Sequence, residues 1–264
     1  MSLSDVAKRL DWSVSKVSRV ERGLSGISPV EMVRYAAHCG GNLEDIDYLL
    51  DWCKKSVTPG YWMSDRFASL IFHESTAAWS GSYDPMVVPG LLQTKEYATA
   101  LIRRRYPEPA VAQFWADARM ERQQLLQSRA FDFFIHEQAV RLPVGGNRAM
   151  NEQMLKLVLL TEQPRITIRV IPIALGERGM FGAQFILFRY TGSGSLVYMG
   201  DRPVGLFVED RDYVAGYKEL LAEMSEVALG RAESREVLAA VASEFDQPED
   251  PPHVPVPLAQ EQFQ

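Results

Sequence analysis

Apolar side chains return every three or four positions through the first part of the chain, and the period breaks at short intervals. Val6, Ala7 and Leu10 share one side of a first stretch behind Ser2, a residue suited to capping a helix. Asp11 and Trp12 interrupt it. Ser13 can cap a second stretch in which Val17 and Val20 repeat at spacing three, leaving Ser15, Lys16, Ser18 and Arg19 on its outer side. SPVEMVRYAAHCGG follows, with Ser28 as cap and Pro29 in the first helical position, and NLEDIDYLLDWCKK offers a further helix from near Asn42. The pattern predicts an all-helical unit over residues 1–58.

Beyond that unit the period switches between helix and strand. MSDRFASLIFHESTAAW, TKEYATALIRRR and AVAQFWADARMERQQLL have helical spacing. AFDFFIHE, ITIRVIPI, AQFILFRY and SLVYMG carry the β-branched and aromatic residues of strands. NEQMLKLVLLTE reads as a helix between the first two, and TGSGS as a hairpin connection between the last two. EDRDYVAGYKELLAEMSEVAL and SREVLAAVASEF predict two closing helices split by Gly230. Strands interspersed with and flanked by helices predict a mixed α+β domain over 59–245, making the whole chain α+β with an all-α beginning. Residues 246–264 are rich in proline and acidic residues with few apolar anchors, a composition that predicts disorder.

The chain has 264 residues, 47% of them hydrophobic and 23% charged, which is ordinary for a globular protein with a sizeable core. No apolar run is long enough to cross a bilayer, so no membrane partner is expected. MSLSDVAKRLDW lacks the apolar core of a secretory signal. Cys39 and Cys53 have no scaffold spacing, so a reducing, cytoplasmic location is expected, with a disulfide between them the less favoured alternative. The net charge of −6 excludes a protein that coats nucleic acid over its whole surface. Its distribution is uneven. Lys8, Arg9, Lys16, Arg19 and Arg22 outnumber Asp5, Asp11 and Glu21, leaving residues 1–23 at +2 and the remainder at −8. Phosphate attraction is screened within about 8–10 Å, so any DNA contact is expected at this end.

Two short helices joined by a tight turn, the second with a polar outer edge, form the helix-turn-helix arrangement. Ala7, Leu10, Ser13, Ser15, Val17, Ser18, Arg19, Glu21, Arg22 and Gly23 stand where the lambda-repressor-like, xenobiotic-response-element (XRE) family places such residues, and MSLSDVAKRLDWSVSKVSRVERG resembles that family's DNA-binding motif. The resemblance implies a transcription regulator binding double-stranded operator DNA. Ser13 would open the recognition helix, Val14, Ser15 and Lys16 would sit at base edges, with Ser18 on the polar edge, and Arg19 and Arg22 would lie nearer phosphates. Symmetric half-sites would make it a homodimer. The plainer alternative is a surface helix of mixed charge. Two departures stand out. Asp11 occupies a turn position where the family has glycine, and only Met1 precedes Ser2, whereas the family has another helix there to cover Val6, Leu10 and Val17. Either the true start lies upstream, or something else fills the gap, or tight DNA binding is lost and the chain is a protein-interaction module with a degenerate motif.

Residues 72–245 resemble the C-terminal domain attached to XRE-type motifs in a group of regulators from high-GC bacteria. The landmarks are the Glu74 region, VVPGLLQTKEYATAL, RMERQQLL, HEQAVRLPVGG, ITIRVIP and GAQFILFRY. The resemblance implies a sensing or partner-binding role, with a small partner protein in an antitoxin-like arrangement. Within VPGLLQTKEYA, Pro89-Gly90 marks a turn and Thr94 caps a helix, so Leu91, Leu92 and Tyr97 are expected to be buried scaffold. Glu74, Tyr83, Gln93 and Tyr97 are the candidates for a ligand or partner pocket. Neither a metal nor another cofactor is expected, and no enzyme. FHES and IHEQ each hold a His-Glu pair, but the fourth position after each histidine is Ala77 or Val140, so a zinc-protease helix fails twice. GSGSLV lacks a third glycine and lies between strands, and no nucleophile elbow or phosphate-cradling loop is present. Glu74 and Glu137 would make an acid pair only if the fold brought them together.

Overall fold

Local hydrogen bonding begins the chain as its sequence expects. In a computed structural model describing residues 2–22, 29–55, 61–64, 67–192, 194–201 and 204–247, Ser2 and Asp5 form a reciprocal capping box at the start of α1 (Leu3–Leu10). The side chains of 29, 51–55, 61–64, 67–68, 201 and 204 lie outside the description, as do residues 248–264, on which the expectation of disorder falls. Asp11 ends α1 in the left-handed region, φ 58 and ψ 43, and is the one non-glycine with positive φ among the described residues. The Trp12 N–H reaches the Ala7 carbonyl at 2.9 Å, closing the turn in the manner usually left to glycine. α2 (Val14–Glu21) follows, then α3 (Pro29–His38) and α4 (Leu43–Lys55).

Val6, Ala7, Leu10 and Val17 form the core of this helical unit, each no more than 3% exposed, with Trp12 and Tyr35 stacked at its edge. The apolar face that the sequence left in question is therefore covered, and α3 contributes Tyr35 to the cover. Polar contacts tie the helices together. Arg9 donates to the His38 carbonyl, Arg34 to that of Leu10, and the Tyr35 hydroxyl to Glu21 at 2.6 Å.

The larger part runs β1 (Tyr61–Ser64), α5 (Phe67–Thr76), β2 (Trp79–Asp84), a 3-10 turn at Gly90–Leu92, α6 (Lys95–Arg103), α7 (Pro109–Arg122), β3 (Ala130–His136), α8 (Glu137–Arg141), α9 (Asn147–Leu160), β4 (Ile166–Ile171), β5 (Phe185–Arg189), β6 (Ser195–Asp201), β7 (Val204–Val208), α10 (Arg211–Val227) and α11 (Arg231–Glu244). The strands form one sheet in the order β1-β7-β6-β5-β2-β3-β4. β2, β3 and β4 are mutually parallel because helices join them; the others pair antiparallel.

Alternation along the strands sends side chains to two faces. On one, Tyr83, Phe134, Leu187, Val197 and Val208 pack with Val214, Leu221 and Met224 of α10. On the other, Phe131, Phe133, Ile166 and Ile168 pack with Met150, Met154 and Leu157 of α9 and Leu238 and Val241 of α11. This α+β architecture agrees with the sequence reading, but three strands were not anticipated. The helix expected over 63–79 is shorter: Met63 and Ser64 belong to β1, and Trp79 opens β2. β7, at the centre of a run broken by Gly205, is the third.

Candidate nucleic-acid interface and a cavity over the sheet

α2 owes its polar face to the placement of two valines. At 3.6 residues per turn, Val17 and Val20 lie on one side, Ser15, Ser18, Arg19 and Arg22 lie together away from them, and Val14, one turn before Val17, stands at the edge between the two. Val17 is fully buried and Val20 half-buried, while Val14, Ser15, Arg19 and Arg22 are exposed. An exposed valine offers methyls to a thymine methyl, serine hydroxyls suit either donors or acceptors on base edges, and arginines suit phosphates. Ser13 is the N-cap, its hydroxyl accepting the Lys16 backbone N–H at 3.1 Å.

Lys16 departs from the sequence reading. It falls on the flank between the two faces, and its ammonium sits 2.6 Å from Glu31 on α3 and 4.1 Å from the centre of the Trp12 ring. An ammonium held by a carboxylate and an aromatic face would have to leave both to meet a base edge. The outer face relies on Arg19 and Arg22 for its charge. Arg22 also bonds back along the helix, Nε to the Ser18 carbonyl, at 3.0 Å.

The second feature lies in the larger domain. β2 reads WSGSYD, and its alternation sends Trp79, Gly81 and Tyr83 to the α10 face and Ser80, Ser82 and Asp84 to the other. The neighbours on that second face are large: the register sets Phe131 beside Ser80, and Phe133 and Ile186 on either side of Ser82. Small side chains flanked by large ones make a trench along this interior strand. α5, the turn after β2, and α7 roof it without filling it, leaving a cavity of about 290 Å3. Ser80 and Ser82 are each only 5% exposed, so this is a polar floor inside the protein.

The roof is charged. Arg122 of α7 and Glu74 of α5 form a buried ion pair at 3.2 Å, and Arg119 donates to the Gln93 side-chain oxygen at 2.6 Å. Gly90 leaves room for this arrangement, since a Cβ there would stand 2.8 Å from Arg122 Nη2 and displace the guanidinium. Burial pushes the Glu74 carboxyl upward, against the pull of the Arg122 and Arg119 charges. Burial likewise pushes Asp84 up to about 7, opposed by the Ser82 hydroxyl donating to it at 3.2 Å.

The turn that carries Gln93 is fixed by side chains rather than by regular structure. Gln93 donates to the Val88 carbonyl at 2.7 Å, and the Tyr97 hydroxyl accepts the Val88 N–H. Gln153 accepts from the Thr94 N–H at 2.7 Å and donates to the Leu92 carbonyl at 2.9 Å. Lys156 and Gln123 both donate to the Gln93 carbonyl.

Of the four pocket candidates, Glu74 and Gln93 line the cavity. Tyr83 does not, because its place on β2 turns it to the opposite sheet face, against Phe181 and Phe185. Tyr97 is fully buried behind the wall as part of the scaffold. The residues that sequence reasoning missed are Ser80, Ser82, Asp84, Arg119 and Arg122. The signals were a strand alternating aromatic with small polar residues and two arginines at spacing three on one helix.

The histidine motifs serve the scaffold. His73 packs between Phe188 and Phe207 with its Nδ1 2.7 Å from the Tyr190 hydroxyl, and burial lowers its pKa to about 4. His136 caps α8, and Glu137 bonds Arg141 and the Ile173 N–H, so Glu74 and Glu137 belong to separate ion pairs. Among the described residues, no three His, Cys, Asp or Glu side chains are grouped to hold a metal ion. Among them, too, no helix is long and apolar enough to cross a membrane.

No curated protein matches the chain. Among solved structures it is similar to TrmBL2, an archaeal chromatin protein whose structure shows a novel mode of DNA binding. The identity is 10%, 87% of this chain and 88% of that one are covered, and the TM-score is 0.33. Residues 1–49 match the family described as a helix-turn-helix domain. Residues 67–240 match the family described as a domain of unknown function, DUF5753. With more than half its length inside that second match and the motif of α1 and α2 inside the first, the chain belongs to the DUF5753 family and carries a helix-turn-helix domain at its N-terminus.

Proposed function

We propose that the chain is a sequence-specific DNA-binding transcription regulator of the XRE type that enters the major groove with residues 13–22. The observation that carries the reading is the outer face of α2, where Ser15, Ser18, Arg19 and Arg22 lie together, with the exposed Val14 at its edge, while Val17 anchors the helix from behind. The larger domain acts by binding rather than catalysis, through a ligand or a small partner protein in an antitoxin-like arrangement, and two copies act together in the cytoplasm on a symmetric operator. In support of regulation, α5 both lines the cavity, with Leu70 and Glu74, and meets the helical unit, where Ser69 and Tyr48 of α4 share a hydrogen bond of 2.7 Å.

Fluorescence anisotropy on DNA from upstream of the chain's own coding sequence tests the reading. Arg19→Ala is expected to weaken binding about tenfold or more, the worth of a lost base or phosphate contact. Lys16→Ala should do much less, because its ammonium is held by Glu31 and Trp12. Unchanged binding in an Arg19→Ala, Arg22→Ala double variant would reject α2 as the reading helix. Sedimentation of the free chain and of its DNA complex tests the dimer. The engagement of Lys16 also favours a second reading, an interaction module with a degenerate motif, under which no duplex binds in a sequence-dependent way.

A further inference from the structure

The cavity combines features that together select a ligand. Its volume of about 290 Å3 lies near the lower end of the range for small-molecule sites, so an occupant has the size of a single metabolite. Val88, Leu91, Leu101, Phe131, Phe133 and Ile186 supply apolar wall, which calls for an apolar body. Positive charge lies at the roof, where Arg119 and Arg122 approach the space from one face of α7, while Asp84 places a carboxyl on the β2 side. A guanidinium carries five donors in a planar fork, and these two already bond polar side chains at the cavity, Gln93 and Glu74. The acceptor that matches the fork in shape is a planar carboxylate. Glu74, beside Arg122, disfavours a group of higher negative charge such as a phosphate dianion. Ser80 and Ser82 on the floor can turn their hydroxyls toward either kind of polar atom.

We propose that this cavity binds a small organic carboxylate with an apolar body, its carboxylate against Arg119 and Arg122 and its body between Phe131, Phe133 and Ile186. The cavity would then be the effector site of the regulator, a consequence that rests on the function proposed above, whereas the binding itself does not.

Titration calorimetry on the full chain, with hexanoate, 3-phenylpropionate, 3-phenylpropanol and inorganic phosphate as probes, tests the proposal. At least one carboxylate should bind saturably, at least about tenfold tighter than the alcohol and than phosphate, the difference a charge-assisted pair makes. Arg119→Gln should erase the margin of acid over alcohol. Ser82→Leu, which fills the trench, should abolish binding of both. If Ser82→Leu fails to melt cooperatively, Ile186→Phe fills the same space from the neighbouring strand. Failure of both carboxylates to saturate at about 10 mM, a concentration that reveals even weak sites, would overturn the proposal. So would equal affinity for acid and alcohol, or binding that survives the filling variants. Anisotropy with duplex DNA is read separately. Carboxylate binding without DNA binding would sink the regulator alone, and DNA binding without carboxylate binding would sink the ligand alone.

Discussion

Asp84 is the residue on which pH acts most directly. Its carboxyl is pushed by burial from an ordinary 3.8 to about 7, so the folded protein holds this proton more tightly than the unfolded chain does. The resulting stabilisation is complete below about pH 4, declines between 4 and 7, and is gone once the carboxylate is ionised in both states. Asp84→Asn removes that dependence. It is expected to be more stable than the wild type at pH 8 by roughly 1–3 kcal/mol, the cost of a poorly satisfied buried group, with the gap closing or reversing toward pH 4. Urea midpoints at the two pH values check this, and a gap that does not change with pH would clear Asp84. Glu74 behaves differently because it has a partner. Glu74→Gln leaves Arg122 without its carboxylate in a buried place and should cost about 3–5 kcal/mol at pH 7 in the same measurement.

Among the elements, the turn between β2 and α6 is the one whose shape depends on side chains far away in sequence. Gln153→Leu would strip partners from the Thr94 N–H and the Leu92 carbonyl together, and a loss of roughly 2–4 kcal/mol in thermal or urea denaturation is expected from groups worth 1–3 each. Elements defined by local rules were readable in the sequence. Ser2, Ser13 and Thr94 cap where they were expected to, Asp11 takes the left-handed turn, and the β-branched runs at 130–136 and 166–171 are strands. β2 was not readable, because strand signals assume apolar covered faces, and one of its two covered faces holds Ser80, Ser82 and Asp84. The cavity was half readable for the same reason. Glu74 and Gln93 sit near recognisable landmarks, whereas which face Tyr83 takes depends on a strand register that no local pattern reveals. Lys16 was misplaced by about a quarter turn, since its partner Glu31 lies on another helix.

For the whole molecule, charge is distributed so that an overall −6 coexists with +2 over the first 23 residues. Binding to duplex should therefore be sensitive to salt, yet modestly so. With Arg19 and Arg22 from each of two copies, roughly four phosphates are neutralised, and log K against log salt should fall with a slope near −4 at about −0.9 per phosphate. A slope near −10, measured by anisotropy from 50 to 200 mM salt, would mean that many more cations take part. The contact between Tyr48 and Ser69 gives this arrangement a mechanical property. Ser69 and Glu74 are five residues apart on α5, about 7.5 Å at a helical rise of 1.5 Å per residue, so they are opposite ends of one short stiff rod. A tilt of this helix at the arginine end therefore reaches the Tyr48 contact unless the pivot is at Ser69 itself.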